Sequence, residues 1–246
     1  MAFSNTYGDT RYAEAYSRLE FPGTYYLAYR DLPAILAEHV QGKRALDFGC
    51  GAGRSSRFLR RLGFDAVGLD ISEEMVRLAR QADPSGDYRL TAEGDFSSLA
   101  KDSYDLVFSA FTFDNIPTRE KKVAIFRGLR ELLAPEGRIV SVVSSPEIYL
   151  HEWVSFSTHD FVARNRLAQS GDVVRIINTA IADARPVEDI LWKEDAYREV
   201  YAVAELEVVA VHKPLGREDE AIAWVNEGRI APWTIYVLRR AGPAPR

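Results

Sequence analysis

The chain has 246 residues, 47% of them hydrophobic, and carries 31 Lys and Arg against 36 Asp and Glu, a formal net charge of −5. That length fits one α/β domain with an insertion, or one domain plus a small cap, and the apolar content is ample for a core. No apolar run is long enough to cross a bilayer, and no basic cluster is long enough to track a phosphate backbone, so neither membrane nor nucleic acid is an expected partner.

Residues 1–6 lack a basic region followed by an apolar run, so no signal peptide is predicted. The one cysteine, Cys50, excludes an internal disulfide and suits a reducing cytoplasm, the expected location. Residues 1–41 read as helical and aromatic, with Tyr7, Tyr12, Tyr16, Phe21, Tyr25, Tyr26 and Tyr29. Phe21-Pro22-Gly23 breaks the run, and Asp31-Leu32-Pro33 looks like a second helix start. A short buried strand over 44–48 then enters a glycine-rich turn with a helix behind it, about 54–62. On that helix Arg57, Arg60 and Arg61 read as a solvated face. A second strand, 66–70, ends on Asp70, and Ser72 is a plausible N-cap for the next helix. Strands three and four are expected near 88–92 and 105–110. Thr118 caps a long amphipathic helix, Ala134-Pro135-Glu136-Gly137 ends it, and strand five runs over 138–143. This alternation predicts a parallel sheet with right-handed crossovers.

The stretch 145–191 is too long for an ordinary loop, and its pattern predicts a strand pair at 173–177 and 187–191. A helix near 194–204, strand six at 206–211 and a last strand at 233–239 complete the chain. We read one domain, divided into a helical cap (1–41), a nucleoside-binding core (42–144), an inserted lid (145–192) and the remaining part of the sheet (193–240).

The glycine turn carries the functional signal. Asp47-Phe48-Gly49-Cys50-Gly51-Ala52-Gly53-Arg54 is followed by the strand-end acid Asp70, 21 positions after Gly49. Strand, glycine turn, helix and strand-end acid form the unit with which α/β folds hold a nucleoside at the carboxyl edge of a sheet. Dinucleotide-binding turns require G-x-G-x-x-G/A. Here the sixth position is Arg54 in one register and Ser56 in the other, which argues against a nicotinamide oxidoreductase. What remains is an acid followed by G-x-G-x-G. In this the chain resembles the class I S-adenosylmethionine (SAM)-dependent methyltransferases, of the type-11 kind, over roughly residues 43–143.

The resemblance implies a Rossmann-like, seven-stranded α/β sheet with helices on both faces. Its last strand would be antiparallel, in a hairpin with strand six. The cofactor implied is SAM. Gly49, Gly51 and Gly53 would let the backbone turn with positive φ and approach a ligand at contact distance. Asp47 would order the loop and reach the methionine amine through hydrogen bonds. Cys50 is expected to be a small packing residue beneath the cofactor, since no histidine lies near it to activate a thiolate. Asp70 would accept both hydroxyls of a ribose diol, and Ile71 would pack on the adenine face. Asp95 matches the acid that accepts from the adenine amino group, and Phe96 supplies the next backbone N–H. Ser109 and Phe111, at the exit of strand four, would lie beside the methionine portion and the transferring methyl.

A sulfonium methyl is already activated, so motifs for a catalytic residue are weak. Asp114 is a candidate general base if partly desolvated, or alternatively a cap of the turn that follows. His151 and His159 are candidate proton acceptors in the lid. The N-terminal tyrosines would close the other side of the pocket, where aromatic faces stabilise a cation. No pair of residues has metal-ligand spacing. The expected partner is a small organic acceptor, methylated at O, N or C, and the expected state is a monomer or homodimer. The alternatives are a protein that uses SAM without methyl transfer, an RNA methyltransferase and a non-catalytic interaction module.

Overall fold

The computed structural model describes residues 9–242; Tyr7 and the segment considered for a signal peptide lie outside them. Three short helices come first: α1 (Thr10–Ser17), α2 (Thr24–Arg30) and α3 (Leu32–His39). The Asp9 carboxylate caps α1 by accepting from the Tyr12 amide at 3.0 Å. The alternating core follows as β1 (Arg44–Phe48), α4 (Arg54–Arg61), β2 (Asp65–Asp70), α5 (Glu73–Ala82), β3 (Asp87–Leu90), β4 (Tyr104–Ala110), α6 (Arg119–Leu132) and β5 (Leu133–Ser144). Ser72 and Thr118 cap α5 and α6 through their hydroxyls, as their positions in the sequence predict.

Strand β5 begins five residues earlier than the sequence suggests. Leu133 pairs with Tyr104, and a register irregularity between Tyr104 and Leu106 absorbs the intervening Ala134–Gly137. A Cβ on Gly137 would meet the Tyr104 carbonyl oxygen at 2.6 Å, so the bulge needs glycine.

The insert comprises β6 (Phe156–Ser157), the short α7 (Val162–Asn165), β7 (Val173–Asn178) and β8 (Pro186–Ile190). Its three strands form a separate antiparallel sheet in the order β6-β7-β8. The chain then returns through α8 (Glu194–Val203), β9 (Leu206–His212) and β10 (Trp233–Arg240). The main sheet has seven strands in the order β3-β2-β1-β4-β5-β10-β9. The first five are parallel, and β10 runs antiparallel to both β5 and β9.

Two apolar layers sandwich the sheet because side chains alternate along each strand. Leu46, Val107 and Ile139 pack against Phe126 and Leu129 of α6 and Val200 of α8. Ala45, Leu106, Val140 and Val142 pack against Leu27, Ile35 and Leu59 of the other helices. The N-terminal helices and the insert join this second layer, which brings Tyr12 and Tyr25 against Tyr149, Ile176 and Trp233.

A buried carboxylate ties these parts together. Glu227 accepts from the Thr24 hydroxyl at 2.7 Å and from the amides of Val154, Val225 and Asn226 at 2.8–3.1 Å. Among the described residues no helix is long and apolar enough to cross a membrane.

Candidate active site

The order of the sheet reverses between β1 and β4, and ligands of open α/β sheets sit in the crevice at such a point. The glycine turn lies there. Its amides at Gly49 and Cys50 both donate to the Leu69 carbonyl, at 2.8 and 3.1 Å, which fixes the turn to β2. All three glycines have positive φ, at +71°, +51° and +79°, but for different reasons. A Cβ on Gly49 would collide with Thr112, and one on Gly53 would lie 2.7 Å from the Tyr88 hydroxyl. A Cβ on Gly51 would meet nothing nearer than Met75 Sδ at 4.0 Å. Gly49 and Gly53 are therefore dictated by packing, and Gly51 faces open space.

Asp47 is fully buried at the end of β1 and does not line that space. Its Oδ2 accepts from the hydroxyls of Ser55 (2.7 Å) and Ser56 (2.5 Å) in the first turn of α4, so it anchors the helix to the strand. Burial pushes its carboxyl up to about 6, against the two hydroxyl bonds that favour the charged form. Cys50 is buried among Val76, Ala79 and Tyr88, and burial holds its thiol well above the usual range. It sits in the reverse of the environment that activates a nucleophile.

The open space is a cavity of about 350 Å³, within the ~300–1,000 Å³ typical of cofactor sites. Asp70 lines it at the end of β2. One carboxylate oxygen accepts from the Gly51 amide at 2.8 Å and the other from the Ser72 amide at 2.9 Å. Each oxygen keeps a second lone pair for a ligand hydroxyl. Ile71 stands beside it, 53% exposed although large and apolar. Met75, Ile116 and Ile125 complete an apolar side. An open cradle at Gly51, a strand-end carboxylate and an exposed isoleucine fit an adenosine and its sulfonium side chain.

Two residues expected here, Asp95 and Ser109, have their side chains elsewhere. The turn after β3 presents Glu93 and Gly94 to the cavity, whereas Asp95 points to solvent and accepts from the Ser97 amide at 2.9 Å. Phe96 packs on Phe48, with ring centroids 5.9 Å apart. Ser109 is buried without a hydrogen-bond partner, paired in register with Ser141. Along β4 it alternates with Phe108 and Ala110, so its hydroxyl faces the layer under α6 and Ala110 faces the cavity.

Phe111 leaves β4 with φ +65°, a left-handed conformation rare outside glycine. Its ring packs on Trp233 and Tyr25, with centroids 4.7 and 5.7 Å apart. Behind it lies a second, smaller cavity of about 30 Å³. Tyr16, Phe111 and Asn115 line both cavities and form the wall between them.

The inner cavity holds two carboxylates. Asp114 is buried and accepts from the Ser144 amide at 3.1 Å. Asp189, on β8, accepts from the Tyr149 hydroxyl at 3.1 Å. Burial raises both, and each acid raises Asp189 or Tyr149 further by repulsion. The nearby Lys122 ammonium is fully buried, donates to the Phe113 carbonyl and lies 5.0 Å over the Trp192 ring. Burial lowers it, and the two acids pull it back up. Tyr12, Tyr25, Phe156 and Trp233 supply aromatic walls.

His151 and His159 are not in this cavity. His151 pairs with Glu147 at 3.0 Å on the surface, and His159 is a solvent-exposed neighbour of Asp160. Ile148, Tyr149 and Phe156 of the same stretch line the cavity, whereas the two histidine side chains turn away from it to their acidic neighbours. Asp189, Lys122 and Tyr149 escaped sequence reasoning, yet two left a signal. Period two puts Asp189 on the same face as the core residue Val187, and Lys122 shares the apolar stripe of Phe126 and Leu129. A charge at a core position is the readable anomaly.

Residues 46–141 match the family model described as a methyltransferase domain. Over that stretch, and with the sheet order and the glycine turn, the chain is similar to the class I SAM-dependent methyltransferases. A ubiquinone biosynthesis O-methyltransferase of Cereibacter sphaeroides is 33% identical over 147 residues, 54% of this chain and 57% of that protein. The chain spans about half the length of the curated relatives it matches. Among solved structures, the CcbJ methyltransferase of Streptomyces caelestis is similar over 97% of this chain and 99% of its own, with TM-score 0.67 and 21% identity. A SAM-dependent methyltransferase of Mesorhizobium loti is similar over 85% and 97%, with TM-score 0.60 and 21% identity.

Proposed function

We propose that this chain transfers the methyl group of SAM to a small organic acceptor held in the inner cavity. The observation that carries this reading is the wall shared by the two cavities: Tyr16, Phe111 and Asn115 separate a cofactor-sized space from a smaller, acid-bearing one. When bound, SAM supplies an electrophilic methyl on a sulfonium. Gly51, Asp70 and Ile71 would hold its adenosine. Phe111, pinned between Tyr25 and Trp233, would set where the methyl meets the acceptor, since in-line transfer needs reacting atoms about 3–3.5 Å apart. The mostly buried aromatic lining of the inner cavity would limit the water around the acceptor. Asp114 and Asp189, raised by burial, would take the acceptor's proton.

The test is calorimetric binding of SAM and of its demethylated product, S-adenosylhomocysteine (SAH), followed by transfer of labelled methyl to a panel of small molecules. Micromolar binding with transfer to a small acceptor supports the proposal. Absence of binding by the folded protein refutes it.

A further inference from the structure

Three acceptor groups lie in the lining of the inner cavity, the carboxylates of Asp114 and Asp189 and the amide oxygen of Asn115, among tyrosine, serine and asparagine donors. Asp114 and Asp189 both line it, and neither forms an ion pair among the described residues. Asn115 Oδ1 is enclosed and has no hydrogen-bond partner, while its Nδ2 donates to the Phe111 carbonyl at 3.3 Å. An enclosed acceptor without a donor is costly, on the order of 1–3 kcal/mol, and Asn115 sits in the wall facing both cavities. One buried lysine, Lys122, stands near the buried Asp114 and the half-buried Asp189, so at most one of the two acids is balanced by a cation.

We propose that the acceptor is a compact aliphatic amine, whose ammonium head enters among Asp114, Asp189 and Asn115 and whose nitrogen is the atom methylated. This rests on the methyltransferase reading of the site and names its substrate class. An alkylammonium head offers three donors and no acceptor, complementary to three acceptor groups. A hydroxyl acceptor offers one donor, and a phenolate or carboxylate would be set against two acids. The aromatic walls, Tyr12, Tyr25, Phe156 and Trp233, add attraction for a cation. The inner cavity is much the smaller of the two, which favours a compact head over a bulky one.

The proton balance closes within the site. The bound ammonium gives one proton to Asp189, whose affinity for it is raised by burial and by Asp114. The freed nitrogen lone pair forms the N–C bond as the methyl–sulfur bond breaks, and that bond's electron pair stays on sulfur. The product leaves as the methylated ammonium, and Asp189 returns its proton to solvent.

The probes are propylammonium and its near-isostere 1-propanol, titrated by NMR into protein saturated with SAH. The ammonium should bind at least about tenfold more tightly. In Asp189→Asn, still binding SAH, the preference should fall below about threefold; Asp114→Asn serves if that variant does not fold. Equal or tighter binding of propanol overturns the inference, as does a preference that both folded variants retain. Failure of the wild-type protein to bind SAH overturns the methyltransferase reading and this inference together. SAH binding without an ammonium preference overturns this inference alone.

Discussion

Alanine at Gly51 isolates the cofactor cradle from the packing of the turn. The residue keeps φ near +51°, which costs an L-residue roughly 1–2 kcal/mol. No collision adds to this, because the nearest atom to the new methyl is Met75 Sδ at 4.0 Å. For a chain of this length the expected fall in Tm is about 2–8 °C. The methyl instead fills the cavity side of the turn, where a ligand would touch bare backbone. Overpacking there costs about 1–3 kcal/mol, or roughly 5- to 150-fold in SAH affinity. Gly53→Ala should behave in the opposite way. Its φ of +79° carries the same strain, and its Cβ lies 2.7 Å from the Tyr88 hydroxyl, so about 2–5 kcal/mol of stability is lost. Thermal unfolding and SAH calorimetry on both variants, below either Tm, give the two numbers separately. Undiminished SAH binding by Gly51→Ala, or a stability loss matching that of Gly53→Ala, would refute the argument.

Asp70→Ala removes the acceptor for a ribose diol and leaves the Gly51 and Ser72 amides without their partner. SAH affinity should fall about 10- to 150-fold, from roughly 1.5–3 kcal/mol of charged hydrogen bonding; calorimetry showing less than a threefold change contradicts it. Asp47 has a folded pKa of about 6, above its unfolded value of 3.8, so its contribution to stability is complete below about pH 3.8 and is lost as pH rises through about 6. Urea midpoints should therefore show wild type losing about 3 kcal/mol against Asp47→Asn between about pH 4 and pH 7; a pH-independent difference rules this out. Glu227→Ala strands one hydroxyl and three amides that join α2, the insert and the loop before β10. At about 1–3 kcal/mol for each buried unpartnered group, it should lower stability by at least about 3 kcal/mol, and a Tm within about 2 °C of wild type excludes the clamp.

The half of the candidate site proposed for the cofactor was legible as a cavity because its signals are local. Gly51 and Asp70 lie within one strand–turn–helix–strand unit, where spacing along the chain decides spacing in space. Asp95 and Ser109 show the limit of that locality. One is turned outward by its own bond to the Ser97 amide, and the other is set by strand parity to the far face of β4. Neither orientation can be read from residue type.

The half proposed for the acceptor was mostly illegible. Asp114 was noticed because it follows β4, but its meaning depends on Asp189, 75 positions later, and on Tyr149 and Lys122. The histidines were favoured for their chemistry, and the path of the insert left them in solvent.

By itself, the sequence determined the alternation of strands and helices, the glycine turn and the carboxylate at the end of β2, because helix period, strand period and turn chemistry act over a few residues. Only the tertiary structure decided that the N-terminal helices and the insert meet over the carboxyl edge of the sheet. There they enclose Asp114 and Asp189 together and place Phe111 between two cavities. That arrangement depends on burying apolar faces far apart in the chain, and the perturbed acids are a consequence of the resulting desolvation.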